Sequence, residues 1–305
     1  MSSKIFISIA SYRDPVLIRT INSALDNATR PDDLHFGVVI QDMKKDIPDL
    51  SSYKNMSIIT MHPRDAMGAG FARDKAISLI KDEDYFLQID SHTIFEKGWD
   101  DLAIEELNKA KAISNNSKVI LSYYPPPFHI ESNKDIFIIK NDKLQVPYPT
   151  TQKLKLNKRG EWTAERFEFK DKERKQPEVS STVLGGFIFA DINLVKEVPY
   201  DPDISFFGEE ICFAMRAWTR GWDIYSPSKT IVYHFYFRGD YKKIWKDKNI
   251  RQISWAEIEE KSKDKQKKVL CGIEDGVYGA GKVRSLEDFE KFVGIKFKNH
   301  YGLTN

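Results

Sequence analysis

The chain has 305 residues, 41% of them hydrophobic and 12% aromatic, enough to bury the core of one large domain or of one domain with an extension. Lys and Arg number 47 against 45 Asp and Glu, and the net charge of +2 gives no general reason to expect nucleic acid as a partner. The two cysteines, Cys212 and Cys271, are too far apart to suggest a disulfide framework or a CxxC site, and fit reduced thiols in a cytosolic protein.

The N-terminal stretch MSSKIFISIASYRDP has an apolar run interrupted by Ser8, too short for a signal-peptide core or a membrane span. No other stretch reaches membrane length, so the expectation is a soluble cytoplasmic protein with no membrane partner. KIFISIAS (4–11) reads as a strand, and Asp14-Pro15 opens a helix from Pro15 to about Ala28. HFGVVIQD (35–42) and MSIITMH (56–62) read as buried strands. GAGFARDKAISLIKDE (68–83) reads as a helix, YFLQID (85–90) as a strand, GWDDLAIEELNKAKAI (98–113) as an amphipathic helix and KVILSYYP (118–125) as a strand. This alternation predicts an α/β sheet of mostly parallel strands.

After Pro125-Pro126-Pro127 the alternation lapses. Residues 151–176 are strongly charged with interleaved aromatics. An RNA-binding strip is one reading, but acids are mixed in throughout, and an exposed insertion or hairpin fits better. TVLGGFIFADINLV (182–195) resumes an apolar strand, GEEICFAMRAWTRGW (208–222) reads as a helix and TIVYHFYF (230–237) as a strand. From about Asp240 the chain is rich in Lys and Glu and mostly helical, with Ser285 and Asp288 placed as a capping pair. The expected division is a domain over 1–239 and a helical extension over 240–305 packed on it.

Ligands of open α/β sheets bind beyond the carboxyl ends of the strands. Ser11-Tyr12-Arg13-Asp14, Gln41-Asp42, His62 to Asp65 and Asp90-Ser91-His92 all fall there. In an extended segment positions i and i+2 point to the same side, so Asp90 and His92 can converge on one ion or one proton. An Asp oxygen with a His nitrogen suits a divalent first-row metal and favours Mn²⁺ over Mg²⁺. A third ligand has to come from the few other histidines; His234, followed by Arg238 as a phosphate contact, and His62 beside Arg64 are the candidates. Gly185-Gly186 interrupts an apolar strand, marking either close approach by a ligand or a plain β-bulge. Glu209-Glu210 at a helix start serves the helix dipole, or places a carboxylate against a sugar or reacting centre.

Taken in order, IFISIASYRDPVLIRTINSALDNATRPDDLHFGVVIQ, AMGAGFARDKA, YFLQIDSHTIFEKGWD, LGGFIFAD, FFGEEICFAMRAWTRGWDIYSP and YHFYFRG resemble the polypeptide α-N-acetylglucosaminyltransferases that modify hydroxyproline in cytoplasmic proteins. They are more distantly similar to the polypeptide N-acetylgalactosaminyltransferases, which carry a D-x-H metal motif, a Gly-Gly strand and a G-G-E-N segment. The resemblance covers roughly residues 4 to 240, with a weaker match in YGAGKVRSLEDFEKFVGI. It implies a GT-A fold, the Rossmann-like nucleotide-sugar-binding α/β class, and a retaining, metal-dependent transfer from a UDP-sugar to a protein or glycan hydroxyl. The donor it implies is UDP-N-acetylglucosamine.

By motif matching, Asp90, His92 and His234 bind Mn²⁺; Ser11, Tyr12, Arg13, Asp14 and Gln41 cradle the uridine, and Ser91 sits beside them. Arg73 reaches the ribose or sugar, Gly185, Gly186 and Glu209 line the donor sugar, and Arg238 touches the diphosphate. Glu209 and Glu210 are the catalytic candidates. Two departures stand out: H-F-Y-F-R here is one residue longer than the His-x-x-Arg of the galactosaminyl enzymes, and Glu210 stands where they carry Asn. A metallophosphoesterase also uses D-x-H but needs Gly-Asp and Gly-Asn-His segments for a second metal, and no Gly-Asn-His occurs. A binding module that keeps the fold without turnover is the other alternative, against which the intact D-x-H and G-E-E clusters speak.

Overall fold

A computed structural model describes residues 3–131, 135–138, 154–156, 162–164, 175–236, 239, 241–250 and 252–303. In chain order come β1 (Ile5–Tyr12), α1 (Leu17–Asn27), β2 (Leu34–Gln41), β3 (Met56–Met61), α2 (Ala69–Ile77), β4 (Tyr85–Asp90), β5 (Thr93–Phe95), α3 (Trp99–Ser114) and β6 (Val119–Ser122). β7 (Phe128–Glu131) pairs with β8 (Asp135–Ile138), and β9 (Leu154–Leu156) with β10 (Trp162–Ala164), each antiparallel. Then follow β11 (Glu178–Val179), β12 (Phe187–Asp191), α4 (Asn193–Glu197), α5 (Glu209–Thr219), β13 (Asp223–Ser226), β14 (Val232–His234), α6 (Trp255–Leu270), α7 (Leu286–Val293) and α8 (Phe297–His300).

The central sheet has eight strands in the order β11-β13-β6-β12-β4-β1-β2-β3. From β4 to β3 the pairs are parallel, but β12 runs antiparallel between β4 and β6, so the sheet is mixed rather than mostly parallel beyond β4. Strand β1 is apolar at nearly every position because both its faces are covered. Ile5, Ile7 and Ile9 pack with Leu17, Ile21, Trp99 and Leu107 of α1 and α3. Phe6 joins Phe86, Ile188 and Phe213 on the opposite face. Each such fully buried side chain contributes roughly 1.5–3 kcal/mol.

Two elements differ from the sequence expectation for identifiable reasons. Helix α2 ends at Ile77 instead of running to residue 83, because the acids beyond it bond elsewhere. Glu83 accepts from Lys81 N at 2.7 Å and pairs with buried His35, and Asp84 accepts from Lys4 N at 2.9 Å. Strand β3 lies at the sheet edge, and its residues alternate between half-buried and exposed.

The C-terminal helices pack against α5. Val269, Leu270, Phe289 and Phe297 share one core with Ile211, Phe213 and Met215. Ser285 caps α7 by accepting from Asp288 N. Helix α6 also holds the turn before α5: Ser205 N donates to Ser262 Oγ at 3.0 Å, and Gln266 Nε2 to Phe207 O at 2.6 Å. Of the charged 151–176 segment, β9 and β10 form a short hairpin whose Trp162 is buried and donates to Tyr301 Oη at 2.8 Å. Residues 175 and 176 are also described, and the remainder of that expectation lies outside the described residues. Among the described residues no helix is long and apolar enough to cross a membrane.

Candidate active site

Sheet register brings the two polar strand ends together. Ala10 of β1 lies opposite Asp90 of β4, so the chains leaving these neighbouring strands carry Asp14 and His92 out side by side. This is the point where chain order reverses, with β2 and β3 on one side of β1 and β4 on the other, the usual ligand crevice of such sheets. A second pairing supplies the third group. Strand β14 runs antiparallel to β5 with His234 opposite Thr93, and Phe235 N donates to His92 O at 3.0 Å.

Asp90, His92 and His234 consequently present three ligand atoms within 4.8 Å of one another. Asp90 Oδ2 is 3.0 Å from His234 Nε2 and 3.7 Å from His92 Nε2. His92 Nδ1 lies 2.7 Å from Asp14 Oδ2. An ionised carboxylate only accepts, so Nδ1 carries the proton and Nε2 keeps its lone pair. That buried Nε2 has no hydrogen-bond partner among the described residues. An orphaned imidazole nitrogen beside a carboxylate and a second imidazole fits a divalent first-row metal, and the Asp14 contact is the outer-shell carboxylate that such a ligand usually has. Burial raises the Asp14 carboxyl, but the hydrogen bond and charge of His92 outweigh it and hold the group below the usual range. At Asp90 burial is likewise outweighed, by the hydrogen bond from His234 and the charges of His92, His234 and Arg73, so it stays ionised.

Arg73, on α2, ties the metal-ligand cluster to α5. Its Nη2 donates to Asp90 Oδ1 and to Gly185 O, both at 3.1 Å, and its Nη1 donates to Glu209. The guanidinium lies over the buried Tyr200 ring, 5.6 Å from its centre. Gly185 is required by this crowding, since a Cβ there would sit 2.8 Å from Arg73 Nη1. At Gly186 a Cβ would reach to 3.6 Å from His234 Cδ2 and 4.0 Å from Asp90 Oδ2, over the metal-ligand cluster. Glu209 is buried, and its Oε2 has no hydrogen-bond partner among the described residues. Burial raises its carboxyl against the lowering effect of Arg73. Glu210 accepts from Gly185 N at 2.6 Å; burial, opposed by that bond and reinforced by the Glu209 charge, pushes it up to about 7.

Asp14, Arg73, Asp90, His92, Gly185, Gly186, Glu209 and Glu210 face one cavity of about 330 Å³, behind which His234 is joined to Asp90. Tyr12, Asp14 and Gln41 line it, as do Phe206, Phe207 and Trp245. Ser11 and Arg13, on alternate positions of the same strand end, line an adjoining cavity of about 420 Å³ that shares Asp14. Ser91 Oγ donates to Asp14 Oδ2 at 2.8 Å, so the Asp14 carboxylate is engaged by protein groups. His62 accepts from Arg64 N in its own turn and is not in the metal-ligand cluster. Arg238 lies outside the described residues.

Sequence reasoning passed over Gln88, whose buried Nε2 donates to Gly185 O at 2.9 Å. An amide inside the apolar strand YFLQID was the available signal. It also passed over Tyr236, whose ring lies 4.2 Å from that of His234 and whose hydroxyl donates to Pro125 O at 2.8 Å. Residues 242–245, which line the cavity, were read only as part of a charged helical extension.

A family model described as Glycosyltransferase (GlcNAc) matches residues 4–57 and 50–299. Among solved structures the chain is similar to GalNAc-T7 crystallised with UDP, GalNAc and Mn²⁺, at 15% identity and a TM-score of 0.56. That similarity covers 96% of this chain and 55% of the other, so the chain spans little more than half the length of GalNAc-T7. It is also similar to residues 1–349 of TarS from S. aureus, at 15% identity and a TM-score of 0.47, covering 76% of this chain and 60% of that one. No curated protein matches the sequence. At these identities the GalNAc-T7 likeness establishes the GT-A fold.

Proposed function

The chain belongs to the glycosyltransferase (GlcNAc) family, and on that premise we propose that it transfers N-acetylglucosamine from UDP-N-acetylglucosamine to a protein hydroxyl with retention at the anomeric carbon. The reading rests most on one observation: Asp90 and His92 of the Asp90–His92–His234 cluster line the same cavity as Arg73, Gly185 and Glu209, at the sheet's reversal point. Asp90, His92 and His234 hold Mn²⁺, with Asp14 keeping His92 in the ligating tautomer. Tyr12 and Gln41 flank the uridine, with Ser11 and Arg13 behind them. Gly185 and Gly186 leave room for the sugar, whose hydroxyl or amide proton meets the free Glu209 Oε2. Apart from residues 242–245, which line the cavity, residues 240–305 act as a supporting extension behind α5.

In the reaction the bond between the anomeric carbon and the β-phosphate oxygen breaks, its electron pair leaving with UDP. The acceptor oxygen bonds to that carbon on the same face, and its proton passes to the departing phosphate oxygen. When bound, the metal supplies Lewis-acid charge against the negative charge growing on the diphosphate, worth several kcal/mol. Arg73 fixes the Glu209 carboxylate and Asp90 in one plane of contacts, so the sugar and the metal-ligand cluster are registered to each other. The wall of Phe206, Phe207 and Trp245 offers ring faces to an acceptor, which suits the pyrrolidine of hydroxyproline in cytoplasmic proteins, the acceptor that the resembled family uses.

A binuclear phosphoesterase would require a second metal cluster, and the Asp–His–His group stands alone of its kind among the described residues. The test is incubation of the protein with Mn²⁺ and a panel of UDP-sugars, with hydroxyproline peptides and oligosaccharides as acceptors, following UDP release. UDP-N-acetylglucosamine with the peptide should turn over fastest. Turnover of no UDP-sugar, or only of a phosphomonoester, would refute the reading.

A further inference from the structure

The cations that face the cavity are not equally available. Arg73 is occupied by Asp90, Glu209 and Gly185. Arg13, at the adjoining cavity, is occupied by Asp247 and Asp42. Lys242 and Lys243 also line the main cavity, and neither makes an ion pair among the described residues. The acids facing them are Asp14, Asp90, Glu209 and Glu210. Even with a divalent ion in place, a nucleotide diphosphate entering this acidic cleft would meet, among the described residues, no uncommitted protein cation except these lysines. Lys243 is half-buried and borders only the main cavity, whereas Lys242 is exposed and borders both.

The segment that carries them is pinned at two points. Asp247 Oδ2 accepts from Arg13 Nη1 at 2.7 Å and from Tyr12 Oη at 3.1 Å, bridging to the end of β1 across 234 residues of sequence. Arg13 holds a left-handed backbone, φ 47°, rare for a non-glycine residue, and its N donates to Gln41 O at 3.1 Å. The Asp247 N–H donates back to Lys243 O at 3.1 Å, so the anchor and the lysine belong to one hydrogen-bonded turn. On the far side the Trp245 ring packs 4.9 Å from Phe206, and Ile244 between them is buried.

We propose that residues 241–247 form a basic strap across the donor cleft, in which Lys243 binds the nucleotide diphosphate and Asp247 is its positioning residue. The inference rests on the UDP-sugar reading above and adds residues that neither the motifs nor the resemblance assigned. Its chemistry follows from the charge change in the reaction. The sugar-linked diphosphate carries two negative charges and the departing diphosphate gains a third as its bond to the sugar breaks, before the acceptor proton reaches it, so a fixed ammonium attracts the departing group more strongly than the ground state. Binding that strengthens along the reaction raises kcat rather than merely lowering KM.

The test compares wild type, K243M, K243R and D247N by calorimetric titration with UDP and with uridine, and by steady-state kinetics with the UDP-sugar. In K243M the affinity for UDP should fall about tenfold or more while that for uridine holds, since only UDP carries the diphosphate, and kcat should fall by on the order of 10²-fold. K243R should recover most of both. D247N, which loses the ionic anchor but keeps the lysine, should lower UDP affinity and kcat by a smaller factor than K243M. An unchanged ratio of UDP to uridine affinity in K243M, with wild type binding UDP normally, overturns the strap and leaves the donor reading intact. Failure of wild type to bind UDP at all overturns both.

Discussion

The two walls of the cleft are built on different principles. On the sheet side Asp14, Asp90, His92, Arg73 and Gly185 hold one another through bonds of 2.7 to 3.1 Å, and the strands behind them fix their register. On the other side Phe206, Phe207 and Trp245 meet ring to ring at 4.9 to 6.3 Å, on turns between helices. On the reading proposed above, the first wall takes a ligand of fixed geometry, an ion and a diphosphate. On the same reading, the second offers ring faces that select the acceptor. Chemistry that must not vary sits on strand ends; chemistry that must discriminate sits on turns.

Substitutions that hit the first wall should therefore cost far more than those on the second. The largest effect is expected for His92→Ala, which removes one of three ligands and should lower metal-dependent turnover by on the order of 10³-fold. Undiminished turnover would dissolve the contrast between the walls. Next, Arg73→Met leaves Glu209 and Asp90 without their shared cation, and chemical denaturation should register a stability loss of about 3 kcal/mol. Asp14→Asn should weaken Mn²⁺ binding by roughly 10- to 100-fold, because His92 loses the carboxylate that sets its tautomer. Titration of the metal against the apo-protein would show it.

On the second wall Phe206→Ala should raise the acceptor KM about fivefold, as loss of one ring contact of about 1 kcal/mol implies, with UDP affinity unaltered. A comparable loss of UDP affinity would show that the walls are not separate. The smallest effect concerns Glu210, which ionises at about 7 in the fold against 4.5 in its ordinary state. The fold thus favours its protonated form, and the stability this confers is full below about pH 4.5 and lost as pH rises through 7. Glu210→Gln keeps an oxygen for Gly185 N–H and cannot ionise. Its melting temperature should gain on wild type between pH 5 and pH 8; a constant gap would show that Glu210 stays ionised throughout.

Much of the first wall was legible in the sequence because strand ends announce themselves. Asp90 and His92 could be paired from their two-residue spacing only together with their place at a strand end, and β4 closes at Asp90 with His92 in the bend after it. His234 could only be a candidate beside His62, since the β5–β14 pairing that brings it in spans some 140 residues, with no local trace of that pairing. Asp14 was legible as a site residue, yet its partner was not: a carboxylate after a strand looks the same whether it faces a nucleotide or an imidazole. The antiparallel course of β12 was also hidden, because a strand buried on both faces has the same apolar run in either direction. The second wall was the least legible. Phe206, Trp245 and Lys243 acquire meaning only where turns from α5 and from the segment before α6 meet, and that meeting is set by Ser262 and Gln266 on a helix face rather than by any motif.

The central claim is that Asp90, His92 and His234 act together on one metal ion that grips UDP. Titrating Mn²⁺ into wild type and His234→Ala in the presence of UDP, with the free ion followed by electron paramagnetic resonance, tests it most directly. One tightly held ion per wild-type chain, lost in the variant while its circular dichroism is unchanged, is the expected result. Equal retention of the ion by both proteins would contradict the account.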